Sequence, residues 1–519
     1  MSAPSTLPNI TADAHAHAVR VRPRRRLRRV ILLAVLAVWG GTAWWHTHKE
    51  LPPGTHVQSE WREVPASQVT FIADVTAADA YGRRVMSQAI FDEVLSIIRS
   101  ARRFIVLDFF LFNDHGGSTG SAAPTRALSS ELRDALIEQR RQHPDLRVLF
   151  ITDPINDVYG GAPSDDLEML RAAGVDVVVT DLNRLRDSNF IYSALWRLTL
   201  AWWNSGDSGE GWLPHPFQQD AAPVSFGSWA RLINFKANHR KVIIGDDGRG
   251  QLVGVIASAN PHDASSAHSN VAAKISGPSL APLLESEFAL ARFSGWEGVI
   301  ATERVPEAPP PDSTLLLSGD YVRTQILTEG AIRSALLERI DSTVRGDSID
   351  IAMFYISERR IIESLLAASR RGVNIRLILD PNKDAFGHEK SGVPNRQVAS
   401  ELVSASDGAV RVRWYRTHGE QFHTKLVVVH GTDRVWLTLG SANLTRRNIG
   451  DYNLEANVAI EAARNSEIGA QVLSYFDMLW ENRAALGVEY TADYGVYADP
   501  SQLRYWLSRV MEGTGLSTF

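Results

Sequence analysis

The sequence predicts an α/β protein of two similar α/β sandwich halves, related by a pseudo-twofold axis and preceded by an N-terminal membrane anchor helix. Two observations predict the halves: a short motif occurs twice, and strand and helix patterns repeat around it. An arginine-rich segment followed by an apolar one predicts the anchor. With 519 residues, 44% of them hydrophobic, the chain can bury two sizeable cores or one double-sized core.

Residues 1–50 have the pattern of a basic tail and a single anchor. Seven arginines lie within residues 20–29, and residues 30–45 carry no charge and end in Trp44 and Trp45. An apolar run of this length is short for a spanning helix and typical of a signal sequence, and both export the body of the chain. The two tryptophans suit an interfacial anchor better than a cleavage site. We expect one span in the inner membrane, with the arginines in the cytoplasm and the body on the periplasmic side.

The body divides into two halves of similar pattern. A polar connector, residues 51–70, leads to the first half at 70–304, and a proline-rich stretch at 306–311 leads to the second half at 312–519. Helical patterns occur at 89–98 and 332–340, and strand patterns occur at 104–110, 146–152, 348–354 and 373–379. Alternating strands and helices predict layers with helices on both faces of each sheet.

An insertion distinguishes the first half. It has about twice as many residues between its Asp-Pro turn at Asp153 and its motif as the second half has after Asp380, which places the insertion at 183–235. Its aromatic residues are Phe190, Tyr192, Trp196, Trp202, Trp203, Trp212, Phe217, Phe226 and Trp229. Such residues most often pack a satellite core. The alternative is a substrate lid or a lipid-contacting surface, because Trp and Tyr favour the headgroup level of a bilayer.

The duplicated motif carries the candidate chemistry. Its residues are His239, Lys241, Ser258 and Asn260 in the first copy, and His423, Lys425, Ser441 and Asn443 in the second. Each copy opens a β-branched run that predicts a strand, in which residues i and i+2 share a face, so each His and its Lys point the same way. A twofold arrangement would place two imidazoles and two ammonium groups in one pocket.

These groups suit the cleavage of a phosphodiester. The reaction needs fixed cations for the charged oxygens, a nucleophile that works near pH 7 and a proton donor for the leaving alkoxide. Two lysines and two asparagines can hold the oxygens, a neutral imidazole can attack phosphorus, and a protonated one can serve the leaving group. This layout requires neither a metal ion nor a cofactor.

The paired motifs resemble the HxKxxxxD motifs of the phospholipase D superfamily, and the resemblance extends over nearly the whole body through the repeated strands. It implies a covalent phosphohistidine, with His239 as the nucleophile and His423 as the proton donor. The lysines and asparagines would hold phosphate, and the serines would orient the site. A segment around Glu455 resembles the one whose carboxylate orients a motif histidine, so Glu455 is expected to partner His423. The partner of His239 stays open, with His268 and Asp263 in the matching region.

Acidic residues near the motifs are predicted to be structural. Asp246 ends the first motif, and His430 stands where the second motif of the family usually has Asp. An Asp at the end of a strand is more often a turn former or an ion-pair partner. We therefore assign Asp246, Asp153 and Asp380 to the scaffold.

Charge and composition limit the kinds of molecule that the chain is expected to bind. Residues 1–50 carry a net charge of +6, so the body carries about −11, because the whole chain has −5. Nonspecific nucleic-acid binding needs a basic surface, which argues against an exported nuclease. The absence of cysteine excludes disulfides and thiolate metal sites. We expect hydrolysis of phospholipid to phosphatidate and an alcohol, with cardiolipin synthase-like transphosphatidylation as the alternative. A noncatalytic scaffold is disfavoured, because both His and Lys pairs are intact.

Overall fold

The computed structural model describes residues 22–79, 81–114, 126–202, 211–218, 221–301, 319–385, 388–389, 391–483, 488–517 and 519. The chain enters through helix α1, Arg22–His48. Within α1, Arg25–His48 is long and apolar enough to cross a membrane. Only 6% of its most apolar stretch is buried inside the protein. Twenty-four helical residues span roughly 36 Å, against a hydrocarbon core of about 30 Å.

The first half contains an eight-stranded mixed sheet. Its strands are β2 (Val69–Ala78), β3 (Arg84–Ser87), β4 (Phe104–Phe109), β5 (Arg147–Thr152), β6 (Asp176–Val179), β7 (Lys241–Asp246), β8 (Leu252–Ala257) and β9 (Asn270–Ser276). They lie in the order β3-β2-β9-β8-β7-β4-β5-β6. Strands β4, β5 and β6 are parallel, and β7 returns antiparallel beside β4.

The second half contains a nine-stranded sheet of matching design. Its strands are β1 (Arg62–Pro65), β10 (Tyr321–Thr328), β11 (Ser348–Met353), β12 (Asn374–Leu379), β15 (Val410–Tyr415), β16 (Lys425–His430), β17 (Arg434–Gly440), β18 (Ala456–Ala463) and β19 (Thr491–Asp493). The two-residue strands β13 (Asp384–Ala385) and β14 (His388–Glu389) pair separately. The order β10-β18-β17-β16-β11-β12-β15 repeats the first sheet from β2 to β6, which confirms the predicted fold of two similar α/β halves.

Helices cover the sheets on both sides. Those of the first half are α2 (Ile90–Ser100), α3 (Leu128–Gln142), α4 (Asp165–Ala172), α5 (Phe190–Leu198), α6 (Phe226–Leu232) and α7 (Ala281–Phe293). Those of the second are α8 (Gly330–Asp341), α9 (Arg359–Arg370), α10 (Asn395–Ala405), α11 (Arg446–Ile449), α12 (Glu467–Trp480) and α13 (Gln502–Thr514). Helices α2 to α4 build one outer core with the first sheet, and α8 to α10 build another with the second.

A third core joins the halves. It buries α7, α12 and the inner faces of both sheets, so that Val106 and Ile151 share one cluster with Val428 and Leu437. Burying these faces together removes a large apolar area from water, and this burial stabilises the arrangement of one half against the other. The chain therefore has a central core shared by both halves as well as an outer core in each.

The segment expected to be only a polar connector takes part in the second sheet. Strand β1 pairs antiparallel with β10, in register Arg62 with Thr324, and Val64 is buried in the central core. Strand β1 has only four residues. A hydrophobic pattern this short does not distinguish a strand from a linker in the sequence. The proline-rich stretch at 306–311 lies outside the described residues.

The insertion at 183–235 packs against α1. Trp39 Nε1 donates to the carbonyl of Ile191 at 3.3 Å, and the amide of Asp187 donates to the carbonyl of His46 at 2.9 Å. Its aromatic residues differ in burial: Trp196 is buried, whereas Trp202 is 82% exposed. Trp203 lies outside the described residues.

Candidate active site

Two aspartates fix the backbone in front of the motif histidines. The carboxylate of Asp153 accepts from the amide of Asn238 at 2.7 Å, and that of Asp380 accepts from the amide of Phe422 at 2.8 Å. Each aspartate follows a parallel strand next to the central pair, so it reaches the start of the motif strand from the side. Both have the structural contacts that their place in an Asp-Pro turn predicts.

Short crossing contacts bring the motifs together. The amide of His239 donates to the carbonyl of Leu454 at 2.8 Å, and the amide of Ser269 donates to that of Gln421 at 3.1 Å. Each belongs to an isolated parallel β-bridge. One bridge pairs Asn238 with Leu454 just before β18, and the other pairs Phe422 with Ser269 just before β9. The two histidines consequently share one electrostatic environment, in which His239 is among the groups that lower the pKa of His423 after burial and Lys425.

Glu455 is the partner of His239. The imidazole Nδ1 of His239 lies 2.9 and 3.0 Å from the two carboxylate oxygens of Glu455, which is fully buried. Ser441 and Asn448 also donate to this carboxylate. With Nδ1 engaged, Nε2 is the ring nitrogen of His239 that can react. The prediction that Glu455 partners His423 was wrong, since the carboxylate crosses from the second half to the first.

Asn270 occupies the equivalent position beside His423. Its side-chain oxygen lies 3.1 Å from Nδ1 of His423 and accepts from Ser258 at 2.9 Å, just as Glu455 accepts from Ser441. This residue was not predicted from the sequence, because the interval from Ser258 to Asn270 is two residues shorter than that from Ser441 to Glu455. One signal in the sequence could have identified Asn270. It begins strand β9, and Glu455 stands at the matching place, directly before strand β18.

The two other residues considered as partners of His239 lie elsewhere. His268 packs against the other motif histidine, with its ring centroid 5.8 Å from that of His423. Asp263 accepts from the amide and the hydroxyl of Ser129 and so holds the start of α3.

The two lysines repeat one geometry. Lys241 Nζ donates to the carbonyl of His239 at 2.6 Å, and Lys425 Nζ donates to that of His423 at 2.8 Å. Both side chains are fully buried, and each ammonium lies about 5 Å from the ring of a phenylalanine that also packs on the motif histidine. These rings are Phe110 in the first half and Phe354 in the second.

The site holds a buried excess of basic groups. Burial lowers the pKa of Lys241 to about 7 and that of Lys425 well below its ordinary value. Burial also lowers the pKa of His239 to about 4, although Glu455 opposes the shift. His239 and Lys241 in turn hold the pKa of Glu455 below its usual range against the effect of burial. A bound anion would stabilise the charged form of both lysines.

The predicted asparagines lie at the ends of β8 and β17. Asn260 accepts from the amide of Leu111 at 3.3 Å and is 4% exposed. The side-chain oxygen of Asn443 is buried without a hydrogen-bond partner among the described residues. The predicted serines, Ser258 and Ser441, contact the partners of the histidines and not the histidines themselves.

A buried ion network that was not predicted from the sequence supports the first motif. Arg240 is fully buried between His239 and Lys241 in sequence, and its guanidinium bonds Glu287 at 3.0 Å and Glu329 at 2.7 Å. Glu329 also accepts from the amide of Glu455. The corresponding residue of the second motif is Thr424, whose hydroxyl lies 3.4 Å from that of Tyr475. An arginine inside an HxK motif has the pattern of a surface cation, so this signal was ambiguous.

The last residues of the motif strands β7 and β16 make structural contacts at the ends of these strands that lie away from the motif histidines. Asp246 accepts from the amides of Arg103 and Phe104 at 2.8 and 3.1 Å. His430, which stands in the equivalent position, bonds Asp350 at 3.0 Å and Arg464 at 2.8 Å. The replacement of Asp by His therefore changes a structural contact, remote from the paired imidazoles.

Comparisons with known proteins find similarity to cardiolipin synthases. Residues 336–480 match the family model described as cardiolipin synthase, PLD-like domain. Cardiolipin synthase A of Pseudomonas putida (strain GB-1) is 25% identical over 377 residues, which cover 70% of this chain and 61% of that protein. Cardiolipin synthase A of Cronobacter sakazakii is 27% identical over 176 residues, covering 32% of this chain and 33% of the relative. The chain thus spans about three fifths of the length of the first of these relatives.

The fold has a solved counterpart. Phosphatidylserine synthase of Haemophilus influenzae Rd KW20 superposes with a TM-score of 0.53, covering 88% of this chain and 97% of that chain at 12% identity. At this identity the likeness concerns the fold.

Proposed function

We propose that the chain is a phosphatidyl transferase of the cardiolipin synthase type within the phospholipase D superfamily, which its fold and the match of residues 336–480 to a PLD-like domain support. In this reaction the phosphatidyl group of one phospholipid moves to the hydroxyl of an acceptor alcohol. The observation that carries the proposal is the buried pair of motif histidines, each held at Nδ1 by the opposite half. The family model and the names of the relatives favour transfer over the simple hydrolysis expected from the sequence.

In the first step, Nε2 of His239 attacks phosphorus and the bond to the headgroup oxygen breaks. The departing alkoxide takes a proton from His423, so a neutral alcohol leaves and a phosphohistidine forms. Burial, Lys425 and His268 keep the pKa of His423 well below its ordinary value. The negative charge of a bound phosphodiester opposes the effect of Lys425, so substrate binding favours the protonated form that this step requires.

In the second step, the neutral His423 takes the proton of the acceptor hydroxyl. The acceptor oxygen attacks phosphorus and the bond to Nε2 of His239 breaks, which returns both imidazoles to their starting forms. Glu455 stabilises the positive charge that His239 carries as a phosphohistidine. Lys241, Lys425, Asn260 and Asn443 are the groups that we assign to the phosphate oxygens.

Burial of the site favours an alcohol over water as the acceptor. His239 and His423 are 9% and 8% exposed, and Phe110 and Phe354 pack on their rings. A site that is largely closed to solvent limits hydrolysis of a reactive intermediate. The same burial suits an acceptor delivered by a second lipid molecule.

We assign α1 to a membrane. Its length and composition permit a single span, and the arginines that begin it indicate a cytoplasmic N-terminus. The body then lies on the periplasmic side, where the phospholipids of the outer leaflet are its substrates.

Product analysis tests the proposal. The full chain is reconstituted in vesicles of phosphatidylglycerol with a trace of deuterated alcohol, and the lipid products are measured by mass spectrometry. We expect cardiolipin and the deuterated phosphatidyl alcohol to exceed phosphatidate, and His239→Asn to form none of the three. Phosphatidate as the dominant product would identify a hydrolase and overturn the transferase proposal.

A further inference from the structure

The C-terminal helix α13 turns its apolar side outwards. Leu503, Trp506, Leu507 and Val510 are between 52% and 80% exposed. Their spacing of i, i+3, i+4 and i+7 places them on one stripe of the helix. The opposite side carries Ser508, which is buried. A helix of a water-soluble surface normally has the reverse arrangement, so this stripe marks an interaction surface.

Helix α13 is fastened to the wall of the active site. Glu512 accepts from the amide of Arg446 at 2.6 Å, and the guanidinium of Arg447 donates to the carbonyl of Gly515 at 3.0 Å. The C-terminal Phe519 packs on Tyr355, whose neighbour Phe354 lies 5.0 Å from the ring of His423. The outward stripe is therefore held in a fixed position beside the second motif.

A second outward stripe lies on α5, in the insertion of the first half. Ile191, Leu195 and Leu198 on this helix, and Trp202 four residues beyond its end, are between 38% and 82% exposed. Helix α5 packs along α1, where Trp44 and Trp45 are 64% and 60% exposed. Lys49 and Arg186 tie the end of α1 to the insertion, because each donates to a backbone carbonyl across the contact at 2.7 Å.

The end of α13 lies beside the start of α5, close to the end of α1. Gly515, directly after α13, lies so close to residues 188–189, directly before α5, that a Cβ added to it would fall 2.0 Å from the carbonyl of Ser188. The Ser188 hydroxyl in turn donates to the carbonyl of Phe235, four residues before His239, at 3.4 Å. Helix α5 of the first half and helix α13 of the second half therefore come together near the junction of α1 with the body. This junction also lies close to the segment that leads into His239.

We propose that the stripes of α5 and α13, together with Trp44 and Trp45, form one docking surface for the lipid bilayer that α1 enters. The inference deepens the proposed function and rests on it, since it takes α1 as the anchor and a phospholipid as the substrate. Continuity with α1 selects the bilayer as the occupant. The exposed tryptophans are Trp44 and Trp45 on α1, Trp506 on α13 and Trp202 just after α5, and tryptophan suits the headgroup level of a bilayer. The docked body receives its diester laterally from the lipid phase.

Site-specific labelling tests the position of the surface. The chain has no cysteine, so one cysteine can carry an environment-sensitive fluorophore in the full chain in proteoliposomes. V510C reports on α13 and L195C on α5, and V344C is the matched control, because Val344 is 63% and Val510 58% exposed. Val344 precedes β11 and so lies at the edge of the sheet opposite the motifs. We expect nitroxide-labelled lipids to quench the first two labels at least about threefold more than the third.

Two results would overturn the inference. Equal quenching at all three positions would show that the stripes do not face lipid. Shielding of the V510C label from aqueous quenchers without lipid quenching, and only at high protein density, would show that a second copy of the chain covers α13.

An activity measurement separates this inference from the proposed function. The double variant W506S/L507S should turn over bilayer phospholipid about tenfold more slowly than the parent, because it loses buried apolar area at the interface. Both should turn over a short-chain, soluble phosphodiester equally, as should the control V344S. If W506S/L507S matches the parent on bilayers, the docking surface is wrong and the transferase stands. If the parent acts on neither substrate, the proposed function itself fails.

Discussion

The environments of His239 and His423 share one geometry and differ in charge. Each imidazole has its Nδ1 bound by the opposite half, a lysine on its carbonyl and a phenylalanine on its ring. His239 faces the carboxylate of Glu455, backed by the buried ion network of Arg240. His423 faces the neutral amide of Asn270. The two rings are therefore held alike, while the unequal charge beside them suits them to different steps.

The direction of the difference indicates the roles. A carboxylate at Nδ1 stabilises positive charge on the ring, which His239 carries while it is bonded to phosphorus. An amide at Nδ1 fixes the orientation of the ring without stabilising that charge, so His423 releases a proton readily. This contrast supports our proposal of His239 as the nucleophile and His423 as the proton carrier. Substitutions at the site and removal of metal ions test this contrast.

Replacement of the nucleophile has the largest expected effect. In His239→Asn no covalent intermediate forms, so the rate should fall by at least about 10⁴-fold for every phosphodiester, whatever its leaving group. Steady-state rates with an aryl phosphodiester and with a phospholipid measure this loss, and acid-quenched samples report the phosphohistidine. Appreciable turnover of the aryl substrate would assign the attack to another residue.

Replacement of the proton carrier should depend on the leaving group. An alkoxide needs a proton as it departs and an activated aryl oxide does not, so His423→Asn should lose about 10²–10⁴-fold on phospholipid and far less on the aryl substrate. The same two assays serve, with the parent chain as the reference. Equal losses on both substrates would show that His423 is not the acid.

Substitution of the two residues that bind Nδ1 of the histidines should have smaller effects, on the rate for Glu455 and on the pH dependence for Asn270. Glu455→Gln removes the charge that would stabilise the proposed phosphohistidine and should slow turnover by about 10²–10³-fold. Asn270→Asp adds a carboxylate beside His423, which raises its pKa. Because His423 acts protonated in the first step, the alkaline limb of kcat/KM should move to higher pH, with only a few-fold change in the maximum. The pH profiles of both variants measure this, and an unshifted limb in Asn270→Asp would contradict the assignment.

Chelation is expected to change nothing. The cations of both environments are Lys241 and Lys425, and the described residues contain no cluster of three or more His, Asp or Glu side chains arranged to hold a metal ion. Activity should therefore be the same before and after dialysis against EDTA. Strong inhibition that one divalent ion reverses would favour a metal-assisted hydrolase.

The sequence predicted what is repeated and local. Strands such as β5 and β12 are long buried runs that occur twice, and the motifs that open β7 and β16 are equally duplicated. The partners of the histidines could not be predicted in the same way. Glu455 bonds a residue 216 positions away, in the other half, and no local pattern reports a contact across the central core. The outward stripe of α13 has the spacing of an ordinary amphipathic helix, and only packing shows which side faces the body.

The crossing of Glu455 and Asn270 between the halves bears on how such a site can evolve. In a dimer of identical subunits, one gene encodes both partners, so any change at this position alters both imidazoles together. Joining the halves in one chain removes that constraint. One half can then carry a carboxylate while the other carries an amide, so that each half can be adapted to a different step of the reaction. The unequal pair at Nδ1 is a specialisation open to a duplicated chain and closed to a symmetric dimer.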